Sequence, residues 1–122
     1  MIKIMIIEDE VNLLNLYKDE LEDEGYEVEA YSSGREGIKR MPAFSPDIVV
    51  LDIKLDNGGG GLEVLREMKS RKENLKVILN SAYSTFKNDF TTWMADAYIV
   101  KSSDLKELKT QIKDFADKVN VK

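Results

Sequence analysis

Three short runs of this chain are nearly continuous in apolar residues: residues 2–7, Ile48–Leu51, and residues 76–80. A strand with one wet face alternates polar and apolar side chains, so an unbroken apolar run indicates a strand buried on both faces. Glu27–Tyr31 does alternate, as Glu-Val-Glu-Ala-Tyr, which suits the edge of a sheet. Ala97–Val100 is a fifth short run.

The segments between and after these runs carry helical spacing. Leu14, Tyr17 and Leu21 recur on one face, with Gly25 placed to stop the helix. A second helix is expected over residues 33–41, closed by Pro42. A third, from Gly61, puts Leu62, Leu65 and Met68 on one side. A weakly patterned segment, residues 85–94, is read as the fourth. The last carries Leu105, Leu108, Ile112 and Phe115, with Asp104 and Glu107 spaced as a capping box. Strands alternating with helices predict an α/β fold with an open parallel sheet covered on both faces. The expected architecture is a single-domain, doubly wound (βα)5 flavodoxin-like sandwich over residues 1–122, with strand order 2-1-3-4-5.

Composition narrows the chemistry. With 122 residues the chain can bury a core without metal or disulfide staples. It contains no Cys and no His, which excludes thiol catalysis, zinc–thiolate sites, Ser-His triads and a phosphohistidine on this chain. A net charge of -5 argues against direct nucleic-acid binding by this segment. No apolar stretch approaches the roughly 18–20 residues of a membrane span, so no membrane association is expected. The opening "MIKIMIIEDE" turns acidic after one short run, unlike a signal peptide, and the cytoplasm is the expected compartment.

In a doubly wound sheet, ligands sit beyond the carboxyl ends of the strands, where the strand order reverses. Glu8 and Asp9 end the first strand there, and Asp52 the third; Ser81 follows the fourth and Lys101 the fifth. Taken singly, each has an ordinary reading: Asp9 as a helix cap, Asp52 as a turn residue, Lys101 as a surface lysine. Taken together they converge on one crevice. Clustered carboxylates repel one another unless a cation compensates them, and an all-oxygen site shared with a phosphate suits Mg²⁺. Lys101 and Ser81 can hold phosphate oxygens, and a carboxylate can attack a phosphoryl group to give an acyl phosphate. Asp52, at the centre of the sheet, is the candidate nucleophile.

These residues, with Ala82 and the run Tyr98-Ile99-Val100-Lys101, make the chain resemble the receiver (CheY-like) domains of two-component response regulators. The resemblance covers essentially the whole chain. It implies that Asp52 accepts a phosphoryl group from a sensor histidine kinase or phosphotransfer protein. Asp9 would bind Mg²⁺ directly and Glu8 through water, with the Lys54 backbone carbonyl as a further ligand. Lys101 and Ser81 would hold the phosphoryl oxygens. Ser81 and Tyr98 would switch the face formed by segment 85–94, the last strand and the last helix, a face that could also carry a homodimer. The chain would then be a signalling domain, with no enzymatic activity beyond Mg²⁺-dependent self-phosphorylation and autodephosphorylation.

The sequence also departs from the family pattern. Asp56 stands where a proline is usual, and the loop before Gly61-Leu62 is one residue longer. Lys54 replaces a small polar residue or methionine, Ser102 replaces the proline after the lysine, and the connection between the last two strands is shortened. The four glycines 58–61 lack the Gly-Lys-Ser/Thr of a phosphate loop and read as a flexible entry into the third helix. Two rival functions fit less well. A degenerate, phosphorylation-independent interaction module should have lost an acid, the acceptor or the lysine. An aspartyl-nucleophile phosphatase should carry a second acid where Lys54 stands.

Overall fold

A computed structural model describes residues 1–53, 60–82, 94–101 and 104–120. Five strands, β1 (Lys3–Ile7), β2 (Glu27–Tyr31), β3 (Ile48–Leu51), β4 (Lys76–Ser81) and β5 (Ala97–Val100), form one parallel sheet in the order β2-β1-β3-β4-β5. This is the expected doubly wound order. The continuous apolar runs occupy the three central positions, and the alternating β2 lies at an edge. The described helices are α1 (Val11–Asp23), α2 (Gly34–Phe44), α3 (Gly61–Arg71) and α4 (Lys106–Asn120). The helix expected over residues 85–94 lies outside the described residues except for Met94. Among the described residues, no helix is long and apolar enough to cross a membrane.

Strand alternation splits the interior into two cores. Ile4, Ile6, Ile48, Val50, Ile78 and Ile99 pack with α1 and α4 residues such as Tyr17, Leu21, Ile112 and Phe115. Met5, Ile7, Val49, Leu51, Val77 and Leu79 pack on the opposite face with Met41, Phe44, Leu65 and Met68 of α2 and α3. On the first face, Lys109 Nζ of α4 meets Glu20 Oε1 of α1 at 2.8 Å.

The helix ends show which local signals act. Glu10, not Asp9, caps α1: its carboxylate accepts from the backbone N–H groups of Asn12 and Leu13. Gly25 stops α1 as expected, at φ 96°. Its N–H donates to Glu22 O, and that of Tyr26 to Leu21 O, the paired bonds of a Schellman closure. Pro42, in contrast, does not close α2, which runs on to Phe44. A proline in the last turn removes one backbone donor, and burying Met41 and Phe44 on either side of it outweighs that loss. On α3 the buried stripe is Gly61, Val64, Leu65 and Met68, with Leu62 only half-buried. At the start of α4, Asp104 Oδ1 accepts from Lys106 N–H at 2.8 Å, as its capping position requires.

Gly61 packs its Cα directly on the chain that leaves β3. A Cβ there would lie 2.1 Å from Asp52 O and 2.5 Å from Ile53 Cα, both backbone atoms that cannot swing away. A Cβ on Gly37 would meet side-chain atoms alone, Ile7 Cδ1 at 2.5 Å, Ile7 Cγ1 at 3.2 Å and Met5 Sδ at 3.3 Å. Gly61→Ala is therefore expected to cost about 2–3 kcal/mol through overpacking. Gly37→Ala should be near neutral, because about 1 kcal/mol of helix propensity offsets the crowding. Urea denaturation of the two variants checks the contrast.

Candidate functional site

The alternation that builds the first core also builds the site. Ile4 and Ile6 of β1, Ile48 and Val50 of β3, and Ile78 of β4 face the α1/α4 core. Two residues on, in the same phase, stand Glu8, Asp52 and Asn80. Lys101 bears the same relation to Ile99 of β5. Main-chain bonds hold these ends together: Asp52 N–H donates to Ile7 O at 3.0 Å, and Lys101 N–H to Ser81 O at 2.6 Å.

Carboxylate oxygens of Glu8, Asp9 and Asp52 lie within 4.8 Å of one another. Glu8 and Asp52 are buried, at 2% and 6% exposure, and Asp9 is half-buried. Lys101 compensates them: its Nζ is 2.6 Å from Glu8 Oε1 and 3.2 Å from Asp52 Oδ2. Burial works against the Lys101 ammonium, but the Glu8 and Asp52 carboxylates outweigh it and hold its pKa above the usual lysine value. Burial pushes the Glu8 carboxyl up, with Asp52 adding to the rise, while Lys101 and the Glu10 N–H pull against it.

Among the described residues, Lys101 is the cation seen against Glu8 and Asp52. Glu8 Oε2 accepts from Glu10 N–H at 3.1 Å, but Glu8 Oε1 is buried without a directed hydrogen bond among the described residues. Its 2.6 Å contact with Lys101 is a charge pairing outside hydrogen-bond geometry. A cluster of hard carboxylate oxygens within 4.8 Å of one another fits a divalent cation.

Ser81 is fully buried at the end of β4, and Tyr98 is half-buried against the α2/α3 core. Glu8, Asp9, Asp52 and Lys101 are thus brought together, with Ser81 adjoining through its carbonyl. Lys54, Asp56, Ser102 and the first two glycines of the loop lie outside the described residues. Two residues escaped the sequence reading. Asn80, buried in the same row as Asp52, donates from Nδ2 to the Tyr17 hydroxyl at 3.1 Å. A lone Asn in an apolar strand, in phase with Asp52, was its signal. Tyr17 was concealed in the apolar stripe of α1.

Fold and site together define a doubly wound α/β domain with an acid cluster and a lysine at its switch point. The response regulator receiver domain family matches residues 4–113, and the chain belongs to that family. It is a signalling domain of the two-component type. The chain is 34% identical over 114 residues to the response regulator ArlR of Staphylococcus saprophyticus, covering 93% of this chain and 51% of that protein. The chain thus spans about half the length of the curated relatives it matches. Among solved structures it is similar to TrrA of Thermotoga maritima in complex with Mg²⁺-BeF: 39% identity, TM-score 0.89, covering 94% of this chain and 99% of that one. The same TrrA in complex with the histidine kinase ThkA matches at 39% identity and TM-score 0.86, covering 94% and 98%.

The raised Glu8 carboxyl has a measurable consequence. Its folded pKa lies above the unfolded value of 4.5, so the fold binds this proton more tightly than the unfolded chain does. That contribution is fully present below 4.5 and is lost as pH rises through the folded value. Without divalent cations, Glu8→Gln should therefore lose less stability than wild type as pH rises from 4.5 toward neutrality. Paired thermal melts across that range check the difference.

Proposed function

We propose that this chain is a phosphoacceptor switch over residues 1–122, with Asp52 as the residue phosphorylated by a sensor histidine kinase or phosphotransfer protein. The observation that carries this reading is the cluster of three carboxylates within 4.8 Å, with Lys101 placed against Asp52 and Glu8. The solved complexes of TrrA, one with Mg²⁺-BeF and one with a histidine kinase, support the same chemistry.

In this reading Asp9 and Asp52 hold Mg²⁺, Glu8 contributes through water, and the Lys54 carbonyl completes the protein ligands. An ion held by these residues would supply charge neutralisation for the acids and Lewis acidity toward the phosphoryl oxygens. An Asp52 oxygen bonds to phosphorus as the phosphorus–nitrogen bond of the donor phosphohistidine breaks. The imidazole leaves with the bonding pair and takes up a proton. Lys101, already within 3.2 Å of Asp52 Oδ2, is positioned to follow the transferred charge onto the phosphoryl group. Ser81 supplies a hydrogen bond to that group, and Tyr98 responds by changing its packing. The face of segment 85–94, β5 and α4 then reports the state to an output or to a second copy of the chain.

Incubation with Mg²⁺ and a small phosphodonor should add one phosphoryl group by mass, and Asp52→Asn should add none. Modification of that variant at the wild-type level would remove the assignment. The neighbouring acids separate site from scaffold. Asp9→Ala should weaken Mg²⁺ binding and phosphorylation together. Glu10→Ala should cost about 0.5–1 kcal/mol of stability through the lost cap and leave Mg²⁺ affinity unchanged. Calorimetric Mg²⁺ titration alongside thermal melts distinguishes the two.

A further inference from the structure

The Tyr17–Asn80 bond has no evident purpose in holding the fold together. Tyr17 is 2% exposed and Asn80 4%, and their hydrogen bond spans 63 residues of sequence. Around them the α1/α4 core is built from Ile, Leu, Val and Phe. A buried hydrogen-bonded pair can be replaced by apolar groups of similar shape at nearly no cost, because its desolvation offsets most of its bond. Stability alone does not call for a polar pair here.

Its position suggests another role. Leu51 pairs with Leu79 in the β3–β4 register, which sets Asp52 and Asn80 side by side one residue further on. Ile7 pairs with Leu51, which places Glu8 at the same level. All three share the face that Tyr17 covers. The phenol and the amide together carry three polar protons, and their mutual bond uses one. Whichever way the amide is turned, two donors remain beside the level at which Glu8 Oε1 lacks a directed hydrogen bond.

We propose that Tyr17 and Asn80 are positioning residues for the cation site, holding the buried Glu8 carboxylate from beneath through a shared water. The bridge keeps that carboxylate oriented toward the crevice, so that the cation meets a site already arranged. The shared water would take up the two remaining donors, since a buried water typically makes about three such bonds. The field at the phenol supports the proximity. Burial raises the Tyr17 pKa, the Asn80 bond and Lys101 oppose the rise, and Glu8 and Asp52 add to it.

This inference rests on the acidic cluster being the Mg²⁺ site, and the experiment separates the two. Mg²⁺ affinity and metal-free thermal stability are measured by calorimetry for wild type, Tyr17→Phe, Asn80→Leu, the double variant and Asp9→Asn. Tyr17→Phe keeps the ring and removes only the hydroxyl. Each single variant should weaken Mg²⁺ binding about tenfold, the lower end for outer-shell partners of metal ligands. The double variant should be no weaker than either single one, and it should melt within a few degrees of wild type without metal. Wild-type Mg²⁺ affinity in Tyr17→Phe and Asn80→Leu, with binding lost in Asp9→Asn, would overturn the positioning role and leave the site reading intact. Wild type that binds no Mg²⁺ would overturn both. Additive losses in the double variant would also overturn it, because a single bridge can be broken only once.

Discussion

The ammonium of Lys101 is the condition under which this sheet can end in acids. It lies 2.6 Å from Glu8 and 3.2 Å from Asp52, and so joins the ends of β1, β3 and β5 across the width of the sheet. Without it, two carboxylates buried to a few per cent exposure would face each other in a poorly solvated crevice. Removing one partner of such a buried arrangement typically costs 3–5 kcal/mol, because it leaves charge uncompensated. Acids and lysine thus meet in the place where, in the proposed function, a cation and a phosphoryl group are each received.

In the proposed function the site has two electrostatic states that differ locally. In one, Lys101 is held by Glu8 and Asp52. In the other, a divalent ion takes over the acids and the lysine can turn to a new negative group. A change of this kind biases an existing equilibrium only to the extent that its contacts differ between the states. The contact that would carry such a difference lies at β5, where the Lys101 N–H is bonded to Ser81 O at 2.6 Å. The end of β5 and the end of β4 are therefore coupled by main chain as well as by side chain.

Much of this was legible in the sequence, for identifiable reasons. Strand order followed from burial: runs covered on both faces had to be central, and the alternating Glu27–Tyr31 had to be at an edge. Glu8, Asp9, Asp52 and Lys101 were legible because each directly follows a strand, and parallel topology brings those ends together. Pro42 was misread because a local rule against proline met a stronger demand to bury Phe44. Glu10 was overlooked as the cap because three acids stand in succession, and only backbone geometry distinguishes them. Asn80 and Tyr17 were hidden for another reason. Each looks ordinary within its own element, and the meaning lies in a contact 63 residues apart.

The two cores also differ in how they should yield under load. The α1/α4 side is lined mainly by β-branched Ile and Val, whose side chains are stiff about the first torsion. The α2/α3 side holds Met5, Met41 and Met68, which are unbranched and readily reshaped, and the other core contains no methionine among the described residues. The sheet is thus clad in a hard layer on one face and a compliant one on the other. The row of Glu8, Asp52 and Lys101 continues the hard layer, in phase with Ile6, Val50 and Ile99. The methionine-lined layer, where Tyr98 packs, is the one that a distortion would reshape at lower cost. Mechanically, the domain resembles a rigid jaw mounted on a soft pad.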